Sequence, residues 1–283
     1  MKTITKSALR LSLTIAMSVW LGAGNAQTIY LGHAGQYSAF ILGDANGLSI
    51  VQGRVAVGRD LTTPKLNVGA GLTQVAPGQA TLVVGRNIAG LAQGVILDAG
   101  GTKGYGVYGD KSTVTNAALD LRQANEEIDF LAEADWLAML SARVGAFTAS
   151  GTAKSVGSEV TLTGSNADVE IFNITAAQVG QGMTLHLSNV KPSARLLINV
   201  ASDGQRQLKL AWNQDALTGR QAQVLYNLPD TDVLGFEDAT VWASVLAPFA
   251  CVKTTRGKIA GGVIAAAWQG SAEIGFAPFV GQP

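Results

Sequence analysis

Ala56-Val57-Gly58-Arg59-Asp60-Leu61 returns 27 residues later as Val83-Val84-Gly85-Arg86-Asn87-Ile88. In each copy a short apolar run meets a glycine, an arginine and a short polar residue before the next apolar position. Fainter echoes flank the pair, at Leu42-Gly43-Asp44 before it and Tyr108-Gly109-Asp110 after it. Uneven recurrence of strand, glycine turn and polar residue is the pattern of an irregular β-solenoid. One coil cannot bury its own inner face, so each needs a neighbour above and below. Glycine supplies the positive φ of the corners, and Asn or Asp satisfies backbone groups there.

The texture changes from Asn116 to about Val144, where Ala, Leu, Glu and Gln replace glycine. These are strong helix formers, so one long helix over about 116–144 is expected, packed along the solenoid. Asn116 suits the N-cap, Asp120 the first turn and Gly145 the stop. Leu119, Phe130, Leu137, Leu140 and Val144 share one stripe, and Leu121, Ala124, Ile128 and Leu131 a second, which implies burial on two sides. The heptad is not sustained, which argues against an autonomous coiled coil. After Gly151 a two-residue alternation returns, in Val160 and Leu162, in Leu185 and Leu187, in Leu196, Ile198 and Val200, and in Leu208, Leu210 and Trp212. No Pro/Ser-rich linker divides these parts, and residues 27–283 are expected to form one mainly β domain.

Lys2, Lys6 and Arg10 precede the uncharged stretch from Leu11 to Leu21, and Gly24-Asn25-Ala26 closes it. That is the order of a secretory signal peptide over residues 1–26, with cleavage before Gln27. The apolar stretch is too short for a spanning helix, which takes roughly 20 residues. Neither the tail after Gly270 nor Gln27, where a lipidated chain would need Cys, offers an anchor. The expectation is therefore a secreted protein, or one held at the cell surface by non-covalent contacts. Three of the 20 Lys and Arg belong to the leader, against 20 Asp and Glu, so the rest of the chain is weakly acidic. No basic footprint for nucleic acid exists. The single Cys251 precludes an internal disulfide and is expected to be a small buried residue.

Candidate chemistry is sparse. Gly104-Tyr105-Gly106-Val107-Tyr108-Gly109 satisfies G-x-G-x-x-G, but a dinucleotide site needs that loop to open a helix directly within a βαβ unit. His33 and His186 stand far apart, with no neighbour at zinc-ligand spacing. No G-x-S-x-G elbow is present. Asp98, Asp110, Asp168 and Asp238 are scattered, and Glu126, Glu127, Glu133 and Asp135 read as a solvated helix face. No catalytic, cofactor-binding or metal residue is assigned, no cofactor is expected, and the residues of a binding face are not assignable. Thr161 and Thr163, with Thr62-Thr63, are stubs of the threonine rows an ice-binding face would carry, without a repeating register.

Nearly the whole chain after the leader resembles the choice-of-anchor A family of exported bacterial proteins. The resemblance rests on Phe40-Ile41-Leu42-Gly43-Asp44, Gly53-Arg54-Val55-Ala56-Val57-Gly58-Arg59 and Leu82-Val83-Val84-Gly85-Arg86-Asn87 at the front. Val169 to Ile174 and Ala194 to Val200 carry the middle. Val224 to Thr231, Ser244-Val245-Leu246-Ala247-Pro248, and Gly262 to Ala265 running on to Phe276-Ala277-Pro278-Phe279 carry the back. The chain departs from that pattern at Cys251, at Phe276 and in having no anchor after Phe279. The resemblance implies an adhesin-like, non-catalytic surface or matrix protein that binds an extracellular polymer or surface: a glycan, a matrix protein or its own envelope. An ice-binding-like protein and a polysaccharide lyase or hydrolase on the same scaffold stand as alternatives.

Overall fold

The computed structural model describes residues 29–281, apart from 75–77, 125–127 and 237, so the leader at 1–26 lies outside the described residues. The described residues wind into a three-faced β-solenoid, as the repeats predict, with one α-helix among them laid on its first face. Ten parallel strands cross the first face in the spatial order Leu121–Gln123, Gly106–Tyr108, Leu82–Val84, Val55–Val57, Ala39–Ile41, Val263–Gly270, Ser244–Thr254, Val224–Asn227, Arg195–Ala201 and Val169–Thr175. The two long central strands, Ser244–Thr254 and Val263–Gly270, turn the corner onto the second face, with a bulge between Ala247 and Cys251. Strands 50–51, 65–68, 93–96, 240–241, 258–259 and 273–274 form the third face.

The order is not the order of the chain. The first coil, at Ala39–Ile41, pairs on one side with Val55–Val57 and on the other with the last coil, Ala39 opposite Val263 and Ile41 opposite Ala265. The chain climbs from the middle to one end, crosses back, and returns to the middle from the opposite end. The first and last described residues meet there, where Ile29 N–H donates to Gly281 O at 3.2 Å. The 27-residue echo is literal: Ala56 stacks on Val83, Val57 on Val84 and Leu61 on Ile88. The coil before it takes only 16 positions, Ala39 lying opposite Val55.

Alternation explains the core. Ala39, Ile41, Val55, Val57, Leu82 and Val84 point inward and are fully buried. Their outward neighbours Phe40, Ala56 and Val83, with Leu197, Leu225, Leu246 and Ile264, form a second apolar layer beneath the helix. The first face is therefore apolar on both sides, so its strands read as continuous runs.

The helix spans Phe130–Gly145, not about 116–144. Asp129 rather than Asn116 caps it, accepting from Ala132 N–H at 3.0 Å. Asn116 instead accepts from Ala118 N–H in a local turn, and Leu121–Gln123 pair with Gly106–Tyr108 as the last strand of the first face. An open sheet edge outbid helix propensity there, because propensity is a weak prior against tertiary pairing. Only one side of the helix is buried, through Leu137, Leu140, Ser141 and Val144, while Leu131 and Met139 are exposed. The expected second apolar side is corrected accordingly. Beneath the last helical turn, Asn227 Nδ2 donates to Ser141 O (2.9 Å) and Asn199 Nδ2 to Val144 O (3.0 Å). Val144 O also accepts from Phe147 N–H at 3.2 Å, so the two asparagines add side-chain ties between the sheet and the last helical turn.

Candidate functional site

With the helix covering the first face, the second and third are open. Eight parallel strands cross the second face, in the order 207–209, 233–235, 251–254, 267–270, 45–46, 61–62, 87–89 and 111–112. At about 4.8 Å per strand they extend over roughly 34 Å. Their inward positions are Leu208, Leu234, Val252, Trp268, Ala45, Leu61 and Ile88, all buried. One outward row runs in register through Lys209, Gly235, Lys253, Gln269, Asn46, Thr62 and Ala89. From Gln269 onward this row is uncharged.

Along the corner of the same face, each coil is tied to the next. Asp44 Oδ1 accepts from Asp60 N–H at 3.2 Å, and Asp60 Oδ1 accepts from Asn87 N–H at 3.3 Å and Asn87 Nδ2 at 2.8 Å. Arg59 lies 3.5 Å from Asp44, and Arg86 stands 3.8 Å from Asp60 and 3.7 Å from Asp110. The recurring Gly-Arg-Asp/Asn of the sequence is this ladder. Cys251 is not buried as expected. It is a half-buried free thiol between Val233 and Ala267, because its position in the register falls on the outward side of the strand. Burial pushes that thiol up, and Lys253 pulls it the other way.

The third face is less uniform. Lys258 Nζ lies 2.9 Å from Glu273 Oε1, and Ile50 and Val95 expose apolar side chains on the same surface. The Lys258 hydrogen bond is the largest influence holding the Glu273 carboxyl below the usual range. At the far end of the solenoid, Thr161 stands between Lys154 and His186 and Thr163 between Thr152 and Ser188, so the T-x-T stub does not continue as a pair of threonine rows.

Beside the helix, on the first face, lies a groove of about 550 Å³ lined by Tyr37, Arg54, Gln79, Tyr105, Arg122 and Gln123 among others. Arg54 is buried at its floor, and Arg122 stacks on the Tyr105 ring 4.1 Å from its centroid. Sequence reading assigned neither residue a site. The burial of Arg54 follows from its place just before the strand Val55–Val57, against Tyr37 and Ala80, which a lone arginine beside a glycine does not reveal.

The residues considered for catalysis do not converge. Asp98 caps Ala99 N–H, Asp110 faces Arg86, Asp168 pairs with Lys191 at 2.8 Å and Asp238 with Arg256 at 2.7 Å. His186 contacts Glu159, and His33 Nδ1 lies 2.6 Å from Glu133. Glu133 is thus turned into a contact, with 13% of its side chain exposed, rather than standing on a solvated face; Asp135 is exposed as expected, and Glu126 and Glu127 lie outside the described residues. Among the described residues no group of three His, Cys, Asp or Glu could hold a metal. The Gly104–Gly109 loop runs into the strand Gly106–Tyr108, not into a helix.

A family model described as "Putative Ice-binding-like adhesive domain" matches residues 30–276. The chain belongs to this family. The finding overturns the choice-of-anchor A resemblance, which nothing in the comparisons supports. The stretches that carried it are largely buried strand positions and corner glycines, such as Val55 to Val57, Leu82 to Val84 and Leu246-Ala247-Pro248. Such stretches report the coil, which more than one family can share. Two solved structures align with this ice-binding-like adhesive chain. One is an ice-binding protein from an Antarctic biological consortium, at 11% identity and a TM-score of 0.34, covering 92% of this chain and 95% of that one. The other is an ice-binding protein from the Antarctic ascomycete Antarctomyces psychrotrophicus, at 8% identity and a TM-score of 0.25, covering 87% and 98%. No curated protein matches the chain.

Proposed function

We propose that this chain is an exported, non-catalytic adhesive module that docks an extended surface on its second face. Residues 1–26 are removed in this reading, and residues 27–283 act as one domain. The observation that carries it is the in-register row through Gln269, Asn46, Thr62 and Ala89 on an eight-stranded sheet with a rigid ladder along its corner. A flat array of short, uncharged donors and acceptors can meet a repeating surface without ordering long side chains, whose immobilisation costs affinity. Export agrees with the leader pattern. No helix among the described residues is long and apolar enough to cross a membrane.

Ice is the second reading, and the family description favours it over a general polymer partner. The row mixes Gln, Asn, Thr and Ala where a lattice would reward one repeated residue. Adsorption of the fluorescently labelled chain to an ice hemisphere and to glycan and matrix-protein films separates the two. Thr62→Tyr, which raises a bulky ring mid-row, is expected to abolish adsorption to the preferred surface while the fold melts unchanged. Equal adsorption of wild type and Thr62→Tyr would remove the second face from the proposal.

A further inference from the structure

The outer side of the helix runs against the usual pattern. A helix laid on a core keeps its far side polar, and one that is apolar all round is normally buried. The inner stripe here is Leu137, Leu140, Ser141 and Val144. At 3.6 residues per turn, the opposite side carries Leu131, Ala132, Asp135, Ala138, Met139 and Ala142. Leu131 is 76% exposed and Met139 63%, and Ala132 and Ala142 are exposed with them. A single exposed leucine is ordinary, but an apolar row along one face marks a surface that a partner covers.

The charges on that row say which partner fits. The helix carries three charged side chains, Glu133, Asp135 and Arg143. Glu133 is turned onto His33, which leaves Asp135 and Arg143 exposed on the outer side. Among the described residues neither side chain takes part in an ion pair or hydrogen bond. Each stands about one turn from Met139, Asp135 before it and Arg143 after it, so roughly 12 Å of helix separates them. An acid and a base set evenly about a midpoint form a self-complementary pattern, which is what a two-fold interface requires. When a second such helix is laid antiparallel with the axis at Met139, each Asp135 meets the other copy's Arg143, and Ala132 faces Ala146. The alanines of the row let the two backbones approach closely, and the charge pairs fix the register. A lipid surface would instead select basic residues on the flanks of the apolar stripe, whereas an acid stands within this one.

We infer that the outer side of the helix is a self-association surface, on which a second copy docks through its own helix, antiparallel, with reciprocal Asp135–Arg143 pairs. The helix lies on the first face, so this pairing leaves the second face of each copy uncovered. It stands or falls independently of the docking surface proposed above.

Sedimentation equilibrium of the full chain, from micromolar to millimolar concentration, tests it. A reversible dimer is expected, and a weak one, because one helix laid on another is a small interface. Asp135→Arg and Arg143→Asp each bring like charges face to face and should weaken the dimer by roughly ten-fold or more. Both positions are exposed, so the melting temperature should stay nearly unchanged. The double variant restores the reciprocal pattern and should dimerise as the wild type does. The two single variants, when mixed, should pair with one another, and Thr62→Tyr should leave the dimer intact. A monomer at every concentration, a dimer indifferent to both single substitutions, or a double variant that stays monomeric would each overturn the inference. So would a dimer broken by Thr62→Tyr, or binding of the helix to phosphatidylcholine vesicles in place of dimerisation.

Discussion

The coils from residue 39 to 112 and those from 169 to 274 build the same three-faced solenoid by different means. In the first set strands are two to four residues long, and neighbouring coils are tied at the surface by the Asp44, Asp60 and Asn87 ladder. In the second set the longest strands reach seven to eleven residues, and polar ties run through the buried side chains Asn199, Asn227 and Glu170 as well as through surface pairs such as Arg206 and Asp232. Asn199 Nδ2 donates to Asn173 Oδ1 and Asn227 Nδ2 to Asn199 Oδ1, both at 2.9 Å. Fully buried Glu170 accepts from Ala167 N–H, Ser165 N–H and the Ser150 hydroxyl, each at 2.8 Å. The contrast is one of dielectric: a hydrogen bond shielded from water is electrostatically stronger, and its loss leaves a partner that water cannot rescue.

The largest expected effect comes from a device the two sets share. Gly94 and Gly270 have φ of 140° and 145°, and an added Cβ would lie 1.8 Å from Leu66 O and 1.5 Å from Thr254 O. Gly270 is enclosed between coils, since Gly47 packs on its other side, whereas Gly94 sits on the outermost strand of the third face. Gly270→Ala is expected to cost about 3 kcal/mol or more and Gly94→Ala about 2 kcal/mol, measured by urea unfolding. Equal costs would mean that the edge coil is as constrained as the seam.

Glu170→Gln should come next, at about 1–2 kcal/mol near neutral pH, because it removes a charged acceptor from several buried donors. Burial pushes the Glu170 carboxyl up, and the hydrogen bonds outweigh it, leaving it below the ordinary glutamate value of 4.5. A depressed carboxyl contributes stability above its unfolded pKa and loses it as pH falls through its folded one. The gap between wild type and Glu170→Gln should therefore shrink on acidification below the ordinary glutamate range; a gap independent of pH would show that packing, not charge, holds that coil. Asp60→Ala, in the half-exposed ladder, is expected to cost only about 0.5–1 kcal/mol and to be the most salt-sensitive of the set. A cost as large as that of Glu170→Gln would erase the distinction between surface and buried ties.

This division also marks what could be read from the chain. The solenoid was legible because corner glycines and alternating Val, Leu and Ile are local requirements, and the Ala56/Val83 echo became actual register. The pairing of Ala39 with Val263 left no trace in the sequence, since any two such strands are compatible and only the path of the chain selects them. The helix start was misplaced because Leu121–Gln123 can form either structure, and an available sheet edge decided it. For the candidate sites, Thr62 was visible as a threonine but not as one member of a row. The burial of Arg54 depends on groups up to 26 positions away, as at Ala80, which no local pattern encodes.

The meeting of Ile29 and Gly281 has a topological consequence. The chain enters the solenoid at Ile29 and leaves it at Gly281 beside the central strands, at its waist and not at its tip. Between that entry and exit the first coil, Ala39–Ile41, and the last, Val263–Gly270, are paired directly, so the seam that closes the path is an ordinary rung of the ladder.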